Sequence, residues 1–307
     1  MTRPRVVVVA KRSSYARFIR DEADPRARAL LRRHDPSVAH WREAHDEHTR
    51  TLDEVLRWLD ERGARAVLVE NSHAAFDTAD AILVVAVGGD GTLLAASHNV
   101  GRVPILGVNS APCHSVGFFC GAERRNLGEQ LERALEGCLP SLSLSRMMVS
   151  VNGRIRSRRV LNEALFCHAS PAATSRYILR HGAREEEQRS SGFWIGPAAG
   201  STAASHSAGG KVLPLRSRKL QLVVREPYVP FGARYRLLRV VVELGREVSA
   251  QSKMNDACLF LDGPYKSVSV RLGDAVSFTL SDEPLSVLGL DPKRHRGPRS
   301  GGRGRGR

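Results

Sequence analysis

Short apolar runs alternate with segments of helical periodicity through the first half of the chain. Between the runs, apolar residues recur at helical spacing, as they do over Leu52–Leu59. Such alternation favours a parallel sheet covered by helices, so we predict an α/β domain with a Rossmann-like sheet over residues 1–140. The four runs that predict its buried strands are Arg5–Ala10, Ala64–Glu70, Ala81–Val87 and Val103–Asn109.

The pattern changes near Ser141, where strand signals replace the alternation. Asn152-Gly153 lies between two strand-like runs and is typical of a tight hairpin turn. Further strand-like runs follow as far as Leu280. We therefore expect a second, β-rich domain over residues 141–280.

Positive charge is concentrated at the end of the chain. The 307 residues carry a formal charge of +15, and residues 291–307 contribute +6, from one lysine and six arginines against one aspartate. This tail lacks apolar periodicity, so it is expected to be disordered. Its Arg-Gly pairs could bind polyanions weakly, and a solubilising extension is the alternative.

Composition also bears on the compartment. No apolar run approaches the length that spans a bilayer, which argues against a membrane protein. The five cysteines show no CxxC spacing, which favours reduced thiols over a disulfide framework or a zinc site. Cys113, His114 and Cys120 fit no standard zinc pattern either, and structural or surface roles are favoured for them. We predict a cytoplasmic protein that holds no metal through a ligand cluster of its own.

A lone carboxylate follows the third predicted strand, in the sequence Gly88-Gly89-Asp90-Gly91-Thr92. Glycines here would allow positive φ and a close approach of backbone N–H groups to a ligand. The start of the next helix favours phosphate. Asp90 could then accept a hydroxyl proton or hold a metal on phosphate oxygens. The alternative is a plain turn in which Asp90 caps the helix.

Two other segments have compositions that suit a nucleotide. Gly196–Gly210 is rich in glycine, alanine and small hydroxyls, and its alternative is a flexible linker. Asn162 and Glu163 interrupt an apolar strand. An Asn amide can read an adenine edge and a Glu carboxylate can accept from ribose hydroxyls. In the alternative, strand alternation turns one of them to solvent and the other to the core.

Taken in order, these motifs resemble those of the NAD kinase family. The resemblance extends from Arg5 to about Leu288, and the ordered set is specific although each piece alone is weak. The matching segments are Gly88–Thr92, Gly107–Asn109 with Gly117–Phe119, Asn162–Glu163, Gly200–Ala203 with Ser207–Gly210, and Asp262–Gly263.

The resemblance implies phosphorylation of the 2′-hydroxyl of the adenosine ribose of NAD⁺ or NADH, with ATP and Mg²⁺ or sometimes polyphosphate as donor. Asp90 matches the catalytic aspartate. The residues expected to bind the dinucleotide are Gly91, Asn162, Glu163, Gly200, Ser201, Thr202 and Ala203. Those expected to meet the donor phosphates are Gly88, Gly89, Gly91 and Thr92. From its place at the end of the first strand, Arg12 could also meet them, and an exposed surface arginine is the alternative.

The resemblance also implies that residues 281–290 return to the first domain and that the chain forms a homodimer or homotetramer. Two departures affect substrate choice: Ala204 stands where the family has tyrosine, and Ser191 where it has aspartate. These changes resemble the residues of the branch of the family that prefers NADH, so a preference for NADH is expected. A lipid kinase of the diacylglycerol or sphingosine type, which shares the GGDGT loop, is the alternative function.

Overall fold

The first part of the chain forms a mainly parallel sheet. A computed structural model describes residues 3–231 and 234–293. The first strands are β1 (Arg5–Ala10), β2 (Arg65–Val69), β3 (Ala81–Gly88), β4 (Ile105–Asn109), β5 (Cys120–Glu123) and β6 (Ser141–Leu144). The order in space is β2-β1-β3-β4, with β5 also parallel to β4. The predicted fold class is confirmed here, because near-continuous apolar strands are buried on both faces.

Helices cover both faces of this sheet. They are α1 (Pro25–Arg32), α2 (Trp41–Glu61), α3 (Asp90–Ser97) and α4 (Leu127–Leu135). Alternate strand residues point to opposite faces. On one face, Val8 therefore packs in the same core as Leu59 of α2 and Leu131 of α4. On the other face, Val7 belongs to the core that contains Leu93 of α3. The helix predicted around Leu52–Leu59 is confirmed as part of α2.

Two antiparallel sheets follow. Their strands are β7 (Met147–Val151), β8 (Arg154–Val160), β9 (Ala164–His168), β10 (Ser175–His181), β11 (Arg184–Ser190), β12 (Phe193–Pro197), β13 (Leu220–Val224), β14 (Arg239–Val242), β15 (Val248–Ser252), β16 (Ala257–Leu261), β17 (Ser267–Val270) and β18 (Ala275–Leu280). The sheet orders are β11-β10-β15-β18-β7-β8 and β14-β13-β12-β9-β16-β17.

The two antiparallel sheets share one core, in which Phe166, Tyr177, Phe193 and Phe278 are fully buried. The predicted hairpin is confirmed, since both residues of the turn between β7 and β8 have positive φ, at 50° for Asn152 and 75° for its glycine. This rigid sandwich provides the second wall of the site described below.

The chain returns to the first sheet near its end. A last strand, β19 (Leu285–Leu288), pairs in parallel with β4 and antiparallel with β6. Buried Arg146 fixes this return, because its guanidinium donates to the carbonyls of Ser97 and Val100, at 3.0 and 2.9 Å, and also to those of Glu283 and Pro284. Burial lowers the pKa of Arg146 to about 10, which leaves it charged at neutral pH.

Short helical segments complete the described chain. They are a π-helix at Ala16–Asp21, 3₁₀ turns at Pro36–Val38, Arg124–Asn126 and Ala198–Thr202, and a single α-helical turn, α5 (Ala204–Ser207). Among the described residues, no helix has the length and apolar character needed to cross a bilayer. The predicted disorder of residues 291–307 lies outside the described residues from position 294 onward.

Candidate functional site

Asp90 is the first residue of α3, at the carboxyl end of β3. Its Oδ1 accepts a hydrogen bond of 2.8 Å from the backbone N–H of Phe119. No side chain caps α3, so the helix-capping alternative does not occur. A carboxylate has about four lone-pair sites, and the amide of Phe119 takes one of them. Asp90 is thus oriented by the chain beyond β4 while keeping acceptor capacity for a ligand.

Close packing, rather than positive φ, explains the glycines before Asp90. None of Gly88, Gly89 and Gly91 has positive φ, so that part of the sequence expectation is wrong. A Cβ on Gly88 would overlap the side chain of Thr92, and one on Gly89 would overlap Oγ of Ser115. The surroundings of Gly91 are open. The loop therefore lies tightly on its own helix and leaves room only on the ligand side.

A cleft of about 950 Å³ opens in front of Asp90. It lies at the carboxyl ends of the parallel strands, where α/β sheets bind ligands. Predicted residues that line it are Arg12, Gly89, Asp90, Gly91 and Thr92, and further lining residues include Lys11, Asp262 and Tyr265. The predicted phosphate-binding residues therefore meet at one place, except that buried Gly88 lies behind the surface of the cleft.

Two cations reach this cleft from the end of β1. Nε of Arg12 donates to Oδ2 of Asp21 at 2.7 Å, and about half of the Arg12 side chain, 54%, is exposed. This hydrogen bond raises the pKa of Arg12. Burial lowers the pKa of the Lys11 ammonium. Both groups would favour an anionic ligand, and Arg12 has to be shared between that ligand and Asp21.

Asp262 organises the segment that carries Asn162 and Glu163. Its Oδ2 accepts from the N–H of Leu161 at 2.8 Å, and its Oδ1 accepts from the N–H of Asn162 at 2.6 Å and of Glu163 at 3.2 Å. The N–H of Asp262 donates to the carbonyl of Glu163 at 2.9 Å. Its side chain is 1% exposed. Asp262 belongs to the motif set, but the sequence does not identify it as a site residue, because the backbone groups that it binds lie about a hundred positions away.

Asn162 and Glu163 lie in the link between β8 and β9, not inside a strand. Strand alternation therefore does not decide where their side chains point, and that expectation is wrong. Oδ1 of Asn162 is buried and has no hydrogen-bond partner among the described residues. An unsatisfied buried acceptor costs about 1–3 kcal/mol. A ligand that brings a donor to this oxygen would recover that free energy.

The glycine-rich loop packs directly on Asn162. A Cβ on Gly196 or Gly200 would overlap the carbonyl oxygen of Asn162. Ser201 is buried; its Oγ donates to the carbonyl of Ala198 at 2.7 Å and accepts from the N–H of Leu213 at 2.9 Å. The flexible-linker alternative is therefore wrong, because the loop is buried and hydrogen-bonded.

Ser201, Thr202 and Ala203 of this loop differ in the hydrogen-bonding groups that they offer to a ligand. The Ser201 hydroxyl holds the loop together, so only its backbone is left for a ligand. Oγ1 of Thr202 is buried without a hydrogen-bond partner among the described residues. Ala203 ends the 3₁₀ turn and donates its N–H to the carbonyl of Gly200 at 2.9 Å. Thr202 is thus the member whose side chain has unused hydrogen-bonding capacity.

His98 connects the two walls of the site. It follows the last residue of α3, and its Nε2 lies 3.1 Å from Oδ2 of Asp262. Its Nδ1 lies 3.3 Å from Nζ of Lys266, whose pKa is lowered by burial. The helix that begins at Asp90 therefore ends close to Asp262.

Comparisons with known proteins show which proteins this chain is similar to. Residues 7–139 match the family model described as the ATP-NAD kinase N-terminal domain. A probable NADH kinase of Oryza sativa subsp. japonica is 33% identical over 260 residues, covering 78% of this chain and 80% of that protein. The NADH kinase of Arabidopsis thaliana is 35% identical over 238 residues, covering 67% and 72%.

A solved structure has the same fold. The NAD kinase of Archaeoglobus fulgidus, crystallised in complex with ATP, superposes with a TM-score of 0.68 at 22% sequence identity. The match covers 94% of each chain. The α/β sheet and the β-rich part of this chain are therefore both included in the similarity.

Proposed function

The chain belongs to the NAD kinase family, and we propose that it transfers a phosphoryl group from ATP to the 2′-hydroxyl of the adenosine ribose of NAD⁺ or NADH. One observation carries the assignment of the site. Asp262 lines the cleft of Asp90 and also holds the backbone of Asn162 and Glu163. A single bound dinucleotide could therefore contact both Asp90 and the segment of Asn162 and Glu163.

Asp90 is the residue proposed to take the hydroxyl proton. Its orientation by Phe119 supports this role, since a general base must be held within hydrogen-bond reach of the proton it removes. The first turn of α3 adds backbone N–H groups that have no intrahelical acceptor, and these suit phosphate oxygens. Gly88, Gly89, Gly91 and Thr92 shape this turn, and Arg12 supplies positive charge at its edge.

The cleft also suits the metal that accompanies ATP. Mg²⁺ takes oxygen ligands and usually combines one or two carboxylates with substrate phosphates. The carboxylates of Asp21, Glu22 and Asp90 line the cleft, so the donor set fits. When bound, Mg²⁺ neutralises charge on the transferred phosphoryl group. Arg12 and Lys11, which line the same cleft, would hold the donor phosphates.

The adenosine part is proposed to lie against the second wall. Buried Oδ1 of Asn162 and Oγ1 of Thr202 have no hydrogen-bond partner among the described residues, which supports contact with a ligand. Glu163 would accept from ribose hydroxyls. Gly200 allows the loop to approach, with Gly91, Ser201 and Ala203 contributing backbone.

NADH is the proposed preferred acceptor. The two plant relatives at 33% and 35% identity are both named NADH kinases, and Ser191 and Ala204 depart from the usual family residues. Nothing in the fold or in these relatives supports the lipid kinase alternative.

The test is a phosphorylation assay in which NAD⁺ and NADH are crossed with ATP and polyphosphate. We expect product with ATP and a higher kcat/KM for NADH than for NAD⁺. A strong preference for NAD⁺ would contradict only the proposed preference for NADH. Activity on lipid vesicles but on neither dinucleotide would contradict the proposed NAD(H) kinase function.

The remaining proposals concern the surroundings of the enzyme. We place it in the cytoplasm as a homodimer or homotetramer, which sedimentation of the full chain would test. The free state of all five cysteines supports a reducing compartment. Weak polyanion binding by residues 291–307 is proposed as an accessory property. Removal of residues 294–307 should abolish binding to single-stranded RNA at low salt and leave kinase activity unchanged.

A further inference from the structure

Two histidines and a glutamate come close together beside the Asp90 cleft, which His114 alone of the three lines. Nδ1 of His40 lies 3.9 Å from Oε2 of Glu43, and Nε2 of His114 lies 3.8 Å from the same oxygen. One ligand atom from each of the three residues lies within 4.8 Å of the other two. We propose that these residues form a Zn²⁺ site, separate from the metal that enters with ATP.

The fold brings the three residues together from two places. His40 precedes α2 and Glu43 lies in its first turn, so their spacing of three residues puts them on one side of the helix. His114 comes from the turn after β4, where its N–H donates to the carbonyl of Ala111 at 3.0 Å. The imidazole rings of His40 and His114 have centroids 5.1 Å apart and are tilted by 38°.

The two N···O distances are those of loose ion pairs, too long for hydrogen bonds, and they leave room for a metal ion. Separations of 3.8 and 3.9 Å exceed the roughly 2.7–3.2 Å of an N–H···O hydrogen bond. Around a tetrahedral Zn²⁺ with bonds of about 2.0–2.2 Å, neighbouring ligand atoms are about 3.4 Å apart. Small rotations of His40, Glu43 and His114 would therefore accommodate the ion.

The donor types select the metal. Two imidazoles and one carboxylate form a known three-ligand zinc set that leaves a fourth position for water. Imidazole nitrogen suits Zn²⁺, whereas Mg²⁺ favours oxygen ligands. The side chains of His40 and Glu43 are 72% and 69% exposed, so an ion must order them from solvent. We therefore expect weaker binding than at a buried structural zinc site.

Occupation of this site would act on the loop that positions Asp90. His114 lines the cleft, and its neighbour Ser115 lies against Gly89. The same loop continues to Phe119, whose N–H holds the Asp90 carboxylate. A Zn²⁺ ion that joins His114 to the start of α2 would restrict this loop. Zinc is thus expected to alter kinase activity without taking part in phosphoryl transfer.

The experiment measures binding, so it does not depend on the kinase assignment. Untagged full-length protein, freed of metal with a chelator, is titrated with ZnCl₂ by calorimetry, and with CoCl₂ while visible absorption is recorded. Since loss of an outer-shell partner alone lowers metal affinity about 10–100-fold, His114→Ala and Glu43→Gln should each weaken Zn²⁺ binding by at least about tenfold and remove the Co²⁺ bands.

His181→Ala, which alters a histidine of β10, is the matched control and should bind like the unmodified protein. Circular dichroism shows whether each variant is folded, and double substitution of His40 and His114 provides a second test if one variant is not. The proposal is overturned if the unmodified protein shows no saturable Zn²⁺ binding. It is also overturned if His114→Ala and Glu43→Gln bind as tightly as the control, or if millimolar Mg²⁺ displaces the ion.

Discussion

Two of the carboxylates that line the cleft, Asp90 and Asp262, have opposite surroundings. Asp262 is buried and accepts three backbone N–H groups. Asp90 accepts one, from Phe119, and faces the cleft. A carboxylate saturated by backbone donors positions its neighbours, whereas one with free lone pairs can take part in proton transfer. The surroundings of Asp262 therefore suit a structural role, and those of Asp90 suit the proposed role in proton transfer.

Replacement of Asp90 by asparagine tests the proposed general base. The amide oxygen can still accept from Phe119, so the fold should be preserved. Loss of the base should lower kcat by about 10²–10⁴-fold with a small effect on KM. Steady-state kinetics with both dinucleotides and a thermal unfolding curve measure this. Full activity in a folded Asp90→Asn protein would rule out the role.

Replacement of Asp262 by asparagine tests whether its carboxylate holds the segment of Asn162 and Glu163 in place. The new NH₂ group would face a backbone N–H of Leu161 or Asn162, leaving donors opposed. We expect a loss of about 2–3 kcal/mol in the free energy of unfolding and a higher KM for the dinucleotide. Urea unfolding and kinetics measure these two effects.

Asp274→Asn is the matched control for Asp262→Asn. Asp274 also accepts a backbone N–H, from Arg271, but it lies in the turn that joins β17 of one antiparallel sheet to β18 of the other. The Asp274→Asn substitution should lower the free energy of unfolding and leave the KM for the dinucleotide unchanged. If Asp262→Asn also left KM unchanged, its link to the substrate segment would be refuted.

Among the structural elements, the buried loop of Ala198–Thr202 depends on glycine for contact with a backbone carbonyl. Gly200 has an ordinary negative-φ backbone, so space alone excludes a side chain there. The sequence indicated a nucleotide loop from small residues, and the structure adds that the smallness also serves packing. The loop and the link between β8 and β9 are therefore in direct backbone contact, with no space for a side chain between them.

Replacement of Gly200 by alanine tests this coupling. The added Cβ would overlap the carbonyl oxygen of Asn162, so loop and link must separate. Overpacking of this kind costs about 1–3 kcal/mol, and the KM for NAD(H) should rise. Gly101→Ala is the control, since its Cβ would meet only Nη2 of Arg159 at 3.5 Å. Equal KM values for the two variants would show that the contact is irrelevant to binding.

Local patterns predicted the elements that are defined by neighbours in sequence. The apolar strands β1, β3 and β4 and the Asn152-Gly153 turn are examples. The same patterns could not predict that Asp262 anchors Asn162, or that His114 meets Glu43, because these contacts join residues far apart in the chain. Of the motif segments, Gly89–Thr92 and Asp262 line the Asp90 cleft, whereas Asn162 and Glu163 are connected to it through the backbone hydrogen bonds of Asp262.

At the scale of the whole molecule, buried groups make stability depend on pH. His48 lies on α2, is 4% exposed, and its Nδ1 lies 2.9 Å from Oγ of Ser110. Burial is the main cause that lowers its pKa from 6.5 to about 4. Between these two values the unfolded chain binds a proton that the folded protein does not. Stability should therefore fall as the pH decreases from 6.5 towards 4.

The contribution of His48 over this interval is about 3 kcal/mol. Urea unfolding at several pH values should give a shallower pH dependence for His48→Gln than for the unmodified protein. His181→Gln, on β10, serves as the control. An unchanged pH dependence in His48→Gln would assign the acid sensitivity to other groups.

The position of β19 has a consequence for how the chain is made. Val287 pairs with Ile105 in the first sheet, so that sheet is incomplete until the ribosome has translated nearly all of the described chain. Until then the Ile105 end of the outer edge of β4, beyond its pairing with β5 at Gly107–Asn109, is open to other strands, which is a risk for aggregation. Contacts between such distant residues also form slowly. Synthesis of this enzyme is therefore expected to depend on chaperones that shield the unfinished sheet during translation.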